Sequence, residues 1–193
     1  HCASLKVLDC GWNSITSLDV SGLAHLVDLD CFCESLNHLN ASGTGVTDFA
    51  PRSAWFEANF ITLNFSGCTN ISEIDCGSAK QLVSLDASGC TSLETLTCQG
   101  VDSLSSLNIK GCTALKDITV TGGQLTSLDV SSCTKLKELW GSQNHLTRLD
   151  VGGFEYLEGL FCLENELESL NISGCKRLND IDCRYNKLTS LDV

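Results

Sequence analysis

The chain has 193 residues, with 24 Asp and Glu against 12 Lys and Arg, for a formal net charge of −12. Phosphate binding needs clustered lysine and arginine, so this balance argues against nucleic acid as a partner and disfavours anionic membrane surfaces. No apolar run approaches the ~20 residues of a membrane-spanning helix, so no direct membrane insertion is expected.

Apolar anchors at i, i+3 and i+5 recur from end to end. One kind of trio begins at Leu5, Leu26, Val46, Ile71, Leu93, Leu115, Leu136, Leu157 and Leu178. The other begins at Ile15, Leu36, Phe60, Leu82, Leu104, Leu125, Leu146, Leu167 and Leu188. Among all these anchors only Pro51 and Gly141 are not apolar. Helical packing would need sustained steps of three and four, and none occurs. Period-two anchors separated by polar residues fit short strands.

Coil three apart, trios start 10 or 11 residues apart, so nine coils of 21 or 22 residues are expected. That length holds two short parallel strands and their turns, but no full helix. One coil cannot bury its own apolar side, whereas stacked coils bury it continuously. The expected fold is a β-rich solenoid, at ~4.8 Å per coil about 43 Å long.

In chain order, coils one and two run regularly to Ala41. Coil three, residues 42–62, departs: 14 residues separate Phe49 from Leu63 instead of 10 or 11. Pro51 cannot donate to a ladder, so the strand there should be broken or bulged. Trp55 and Phe56 in the inserted stretch either fold back over the coil edge or form a loop contact for a partner. Coils four to nine are regular to Val193. Residues 1–193 therefore read as a single solenoid domain. The chain opens inside the first repeat and stops in mid-coil without polar caps, which reads as a fragment of a longer protein.

Thirteen cysteines suggest a disulfide framework until they are placed in register. Cys10, Cys31, Cys76, Cys98, Cys162 and Cys183 are third anchors of the first trio. Cys68, Cys90, Cys112, Cys133 and Cys175 fall three residues beyond the last anchor of the second trio. Only Cys2 and Cys33 lie off these columns. Column neighbours ~4.8 Å apart with parallel side chains do not suit the ~3.8 Å Cβ separation of a disulfide, so free thiols are expected. A zinc site at Cys31, Cys33, His25 and His38 would need an atypical C-x-C spacing, so no metal is expected.

The half-repeat L-x-x-L-x-C-x-x-N-x-L followed by L-D-V-S-G-C resembles short bacterial leucine-rich repeats with a cysteine ladder, as in internalin-like cell-surface proteins. The match covers all but coil three. The resemblance implies a leucine-rich-repeat solenoid whose Asn-bearing strand lines the face where partners dock. It also implies a secreted or surface-anchored bacterial protein engaged in adhesion or host contact. Asn13, Asn144, Asn165 and Asn186 match the pattern. Glu34, Ala54, Ala79, Val101 and Gly123 depart from it.

The two outward faces differ. The second strand carries a nearly uniform column, Asp19, Asn40, Asn64, Asp86, Asn108, Asp129, Asp150, Asn171 and Asp192, which reads as a solvated scaffold. A calcium ladder there would need six to eight converging oxygens. The first-strand column varies: Asp9, Asp30, Ala50, Asp75, Thr97, Thr119, Trp140, Phe161 and Asp182. Beside it lie Trp12, Phe32, Gln99, Thr121, Leu163 and Tyr185. Trp140 and Phe161 stand in successive coils, so their rings should stack in the open, as binding anchors do.

The histidines share no column, and no carboxylate pair, triad or phosphate loop stands out, so a non-enzymatic module without cofactors is expected. The candidate partner-binding residues are Trp12, Phe32, Thr97, Thr119, Trp140, Phe161, Leu163 and Tyr185. A protein partner, host-derived in an adhesion setting, is the leading reading. A glycan stacked on Trp140 and Phe161, and a structural spacer, are the alternatives.

Overall fold

The computed structural model describes residues 2–50, 59–77 and 79–192. Trp55 and Phe56 lie outside the described residues, so the loop expected there is not placed. In chain order the strands are β1 (Val7–Asp9), β2 (Ser17–Asp19), β3 (Asp28–Asp30), β4 (His38–Asn40), β5 (Asp48–Phe49), β6 (Thr62–Asn64), β7 (Glu73–Asp75) and β8 (Ser84–Asp86). They continue as β9 (Thr95–Gln99), β10 (Ser106–Asn108), β11 (Asp117–Thr121), β12 (Glu138–Trp140), β13 (Arg148–Asp150), β14 (Gly159–Phe161), β15 (Ser169–Asn171) and β16 (Asp180–Asp182). The described residues contain no helix, and so none long and apolar enough to cross a membrane.

Every strand pairing is parallel and joins one coil to the next. The first wall is a two-stranded sheet, β1–β3, and a seven-stranded sheet running from β5 through β7, β9, β11, β12 and β14 to β16. The second wall is a five-stranded sheet from β2 to β10 and a two-stranded sheet, β13–β15. Anchors stack on anchors: Leu96 opposite Ile118, Ile118 opposite Leu139, Leu139 opposite Leu160. This is the parallel β-solenoid that the apolar spacing predicts. First anchors such as Leu26, Leu93, Leu136 and Leu157 are completely buried. Each such burial is worth about 1.5–3 kcal/mol, opposed by the entropy of ordering the chain.

Turns are closed by the column side chains themselves. Asp19, Asn64, Asp86, Asp129, Asp150 and Asn171 each use Oδ1 to accept the backbone N–H two residues on. A short acceptor at that spacing makes an Asx turn. In these turns, except that of Asp129 where Ser132 stands instead, a glycine with positive φ follows; at Gly111 (φ 82°), in the turn after Asn108, a Cβ would also fall 3.5 Å from the Gly89 nitrogen. Asp and Asn are interchangeable in this role, which explains their alternation along the second wall.

All thirteen cysteines are thiols. Four of the five in the second-wall turns reach back one coil: Cys68 Sγ donates to Ala41, Cys90 to Phe65, Cys112 to Ala87 and Cys175 to Val151, at 3.0–3.1 Å. Burial pushes the Cys112 thiol up to about 11 and those of Cys90, Cys133 and Cys162 to about 12, so they remain donors. Cys33, off the expected columns, has a comparable task. It is buried, and its Sγ donates to the Cys10 carbonyl at 3.1 Å.

Asparagine makes that link in later coils. Asn165 Nδ2 donates to Gly141 of the preceding coil at 2.9 Å and to Cys162 at 3.1 Å, while its Oδ1 accepts from Leu146 at 3.0 Å. Asn144 and Asn186 repeat the arrangement. The residue before each, Gln143, Glu164 or Tyr185, is held at φ 53–58°. That left-handed backbone costs a non-glycine residue roughly 1–2 kcal/mol, offset by the asparagine bonds.

Two departures from two strands per coil are seen. Coils six and nine show only their first-wall strand among the described residues. Coil seven turns through Gly152-Gly153-Phe154, placing a phenyl ring where other coils have a thiol. Phe154 is buried and has no donor for the Val130 carbonyl. The second wall parts there into a groove of about 460 Å³ lined by Leu128, Arg148 and Phe154 among others. In coil three β5 is only two residues long.

Candidate functional site

The first wall changes character along its length. In Asp9, Asp30, Asp75 and Asp182 the central side chain is engaged locally, each Oδ1 accepting the backbone N–H two residues ahead. In coils five to eight the same column holds Thr97, Thr119, Trp140 and Phe161, none of which closes an Asx turn. Without that turn β9 and β11 run on for five residues, to Gln99 and Thr121. Four consecutive coils thus present side chains released from scaffold duty.

Trp140 and Phe161 are register partners in β12 and β14. Their rings lie 3.8 Å apart between centroids with planes 18° from parallel. Trp140 is 43% exposed above the fully buried Leu139, while Phe161 is half-buried. The stacking direction runs from coil to coil, so the pair turns ring edges, not ring faces, toward solvent. The second face of the indole looks toward coil six, where the column carries Thr119.

A second row lies two residues earlier on the same face: Asp117, Glu138, Gly159 and Asp180, in register. Glu138 extends its carboxylate across Gly159, where a Cβ would collide with it. Desolvation raises the Glu138 carboxyl above its ordinary value, and repulsion from Asp117, Glu158 and Asp180 adds to this. A hydrogen bond from the Trp140 indole N–H partly offsets the rise. Nothing in the hydrophobic pattern marks these carboxylates; only the stacking register brings them beside the indole.

The candidate residues divide accordingly. Thr97, Thr119, Trp140, Phe161 and half-buried Leu163 lie on coils five to eight, and Tyr185, 74% exposed, on coil nine. Trp12 is 84% exposed but sits on coil one, in the other sheet of the wall. Phe32 corrects the expectation of an open aromatic row. Its ring is half-buried, stacked on Phe49 at 5.7 Å and edge-on to Phe60 at 6.2 Å. The short β5 leaves room there that an aromatic cluster fills.

Neighbouring charges are paired. Arg184 chelates Asp182 through Nε at 2.9 Å and Nη2 at 2.7 Å. Glu94 holds Lys116 at 2.7 Å, and Glu166 holds Lys187 at 2.6 Å and His145 at 3.1 Å. Among the described residues no three His, Cys, Asp or Glu side chains converge as a metal ion requires, those of His25, Cys31, Cys33 and His38 included.

No protein-family profile and no curated protein matches the chain. Solved structures do. The functional domain of InlJ from Listeria monocytogenes, which includes a cysteine ladder, is similar at 23% identity and TM-score 0.38, over 92% of this chain and 46% of that one. A leucine-rich-repeat protein of Leptospira interrogans is similar at 16% identity and TM-score 0.45, over 98% and 57%. YopM from Yersinia enterocolitica is similar at 16% identity and TM-score 0.44, over 96% and 56%. The chain spans about half the length of these structures.

Proposed function

We propose that this chain is a protein-binding module of a bacterial surface or secreted protein, docking its partner through the first wall of coils five to nine. The observation that supports this is the Trp140–Phe161 stack, standing open where other coils spend an aspartate on their own turn. Rigid aromatic anchors on a sheet lose little entropy on docking, and they dominate binding energy where they are buried by a partner. Buried thiols with raised pKa values suit an oxidising exterior, because the reactive thiolate is scarce.

The ring orientation favours a protein over a glycan. A sugar lying flat on the wall would meet ring edges, whereas sugar stacking needs a ring face. The test is W140S/F161S, compared with the unaltered chain on intact host cells and on a glycan array. The proposal expects loss of cell binding with no change on the array. Loss confined to the array would favour the glycan reading, and no change on either would leave a spacer.

A further inference from the structure

We propose that the partner presents a cationic segment, an arginine or lysine whose charged end lies between Asp117 and Glu138 and whose stem runs along the free face of Trp140. This rests on the protein-binding reading above and names the chemistry that the same face accepts.

Three features place a cation there. First, the column steps from Thr119 to Trp140, from a small side chain to the largest, and Phe161 covers only one side of the indole. The uncovered side faces the shorter Thr119 side chain of the preceding coil. Second, the neighbouring row carries Asp117 and Glu138 on adjacent strands, with Asp180 two coils beyond and Glu158 nearby. Among the described residues no lysine or arginine pairs with any of these four, although Glu94, Glu166 and Asp182 around them all have cationic partners. Desolvation first, then repulsion from these neighbours, raises the Glu138 carboxyl, and a positive guest relieves the repulsion. Third, the chain itself makes a contact of this kind: the Arg177 guanidinium carbon lies 5.2 Å over the Tyr156 ring. A cation against an aromatic face is favourable, more so when carboxylates flank it.

A bare metal ion fits poorly, because carboxylates in a row on a flat sheet do not converge on one point. A free polyamine would leave the Trp140–Phe161 pair uncovered. A basic residue followed by an apolar one meets both demands, and the net charge of −12 draws such a segment toward the wall.

The experiment uses the full chain and fluorescein-labelled 12-residue peptides of Gly, Ser and Leu bearing three arginines, three glutamates or three further serines, read by anisotropy. Two variants with the same charge change are compared, D117N/E138Q on the first wall and D86N/D129N on the second. The latter is conservative, since Asn closes the same turn in other coils. The arginine peptide is expected to bind tightest. D117N/E138Q should weaken it by about tenfold and D86N/D129N by less than about twofold. Equal losses in both variants would mean diffuse charge attraction and would overturn the proposal. Serine peptides binding as tightly, with that binding lost in W140S/F161S, would overturn it while leaving the protein-binding reading intact. If W140S/F161S alters the binding of no peptide, both readings fail at this face.

Discussion

Cys112 Sγ donates to the Ala87 carbonyl at 3.1 Å, one coil back, so a thiol and not a disulfide ties these coils together. Nine cysteines are buried in this way or within the core, and the pKa of Cys112 is held near 11 by burial. Enclosed by the stacked coils, they should not react in the native state. A thiol-specific reagent at pH 8 is expected to label exposed Cys2 first and to reach the nine only after denaturation. Unreduced, denatured protein should then show those nine as free thiols by mass spectrometry. Rapid native labelling of Cys112 would contradict the ladder.

Asn165 bonds four backbone groups across two coils and holds Glu164 in a left-handed turn. Asn165→Ala leaves buried groups of Gly141 and Leu146 without partners. Each orphan costs about 1–3 kcal/mol, so the variant should lose about 3 kcal/mol in urea denaturation. A loss below about 1 kcal/mol would mean that water replaces the amide at little cost.

The raised carboxyl of Glu138 gives a pH signature. The folded state holds this proton to higher pH than an unfolded glutamate, whose ordinary value is 4.5. Stability from this group is therefore full below 4.5 and is lost as pH rises through the folded value. E138Q removes that loss, so the variant should match the parent at pH 4 and exceed it at pH 7. The site is solvent-screened, so the gain should stay below about 1 kcal/mol. Thermal melts at both pH values check it, and destabilisation at pH 7 would show that Glu138 serves the fold and not a ligand.

The solenoid was readable because Leu136, Leu139, Leu146 and Leu149 belong to a spacing that only a strand can bury, repeated until chance is excluded. The Trp140–Phe161 stack was readable for the same reason, since a constant register puts equal positions side by side. What the pattern hid depended on size and hydrogen bonding inside a column. Phe154 occupies a thiol position and lines the groove in the second wall. Cys33 supplies a link that asparagine makes elsewhere, from a position one residue away. Phe32 turns toward Phe49 and Phe60 because the neighbouring strand is short. Asp117 and Glu138 look like ordinary solvated acids until the register sets them beside an indole.

The binding face itself is tested most directly by placing a photo-crosslinking benzoylphenylalanine at Thr119, beside Trp140, or at Asn64 on the opposite wall, and irradiating the protein on intact host cells. A crosslinked protein adduct is expected from position 119 that an excess of unlabelled parent chain competes away and an excess of W140S/F161S does not. Adducts of equal yield from both positions, or adducts from position 64 alone, would contradict a docking surface on the first wall.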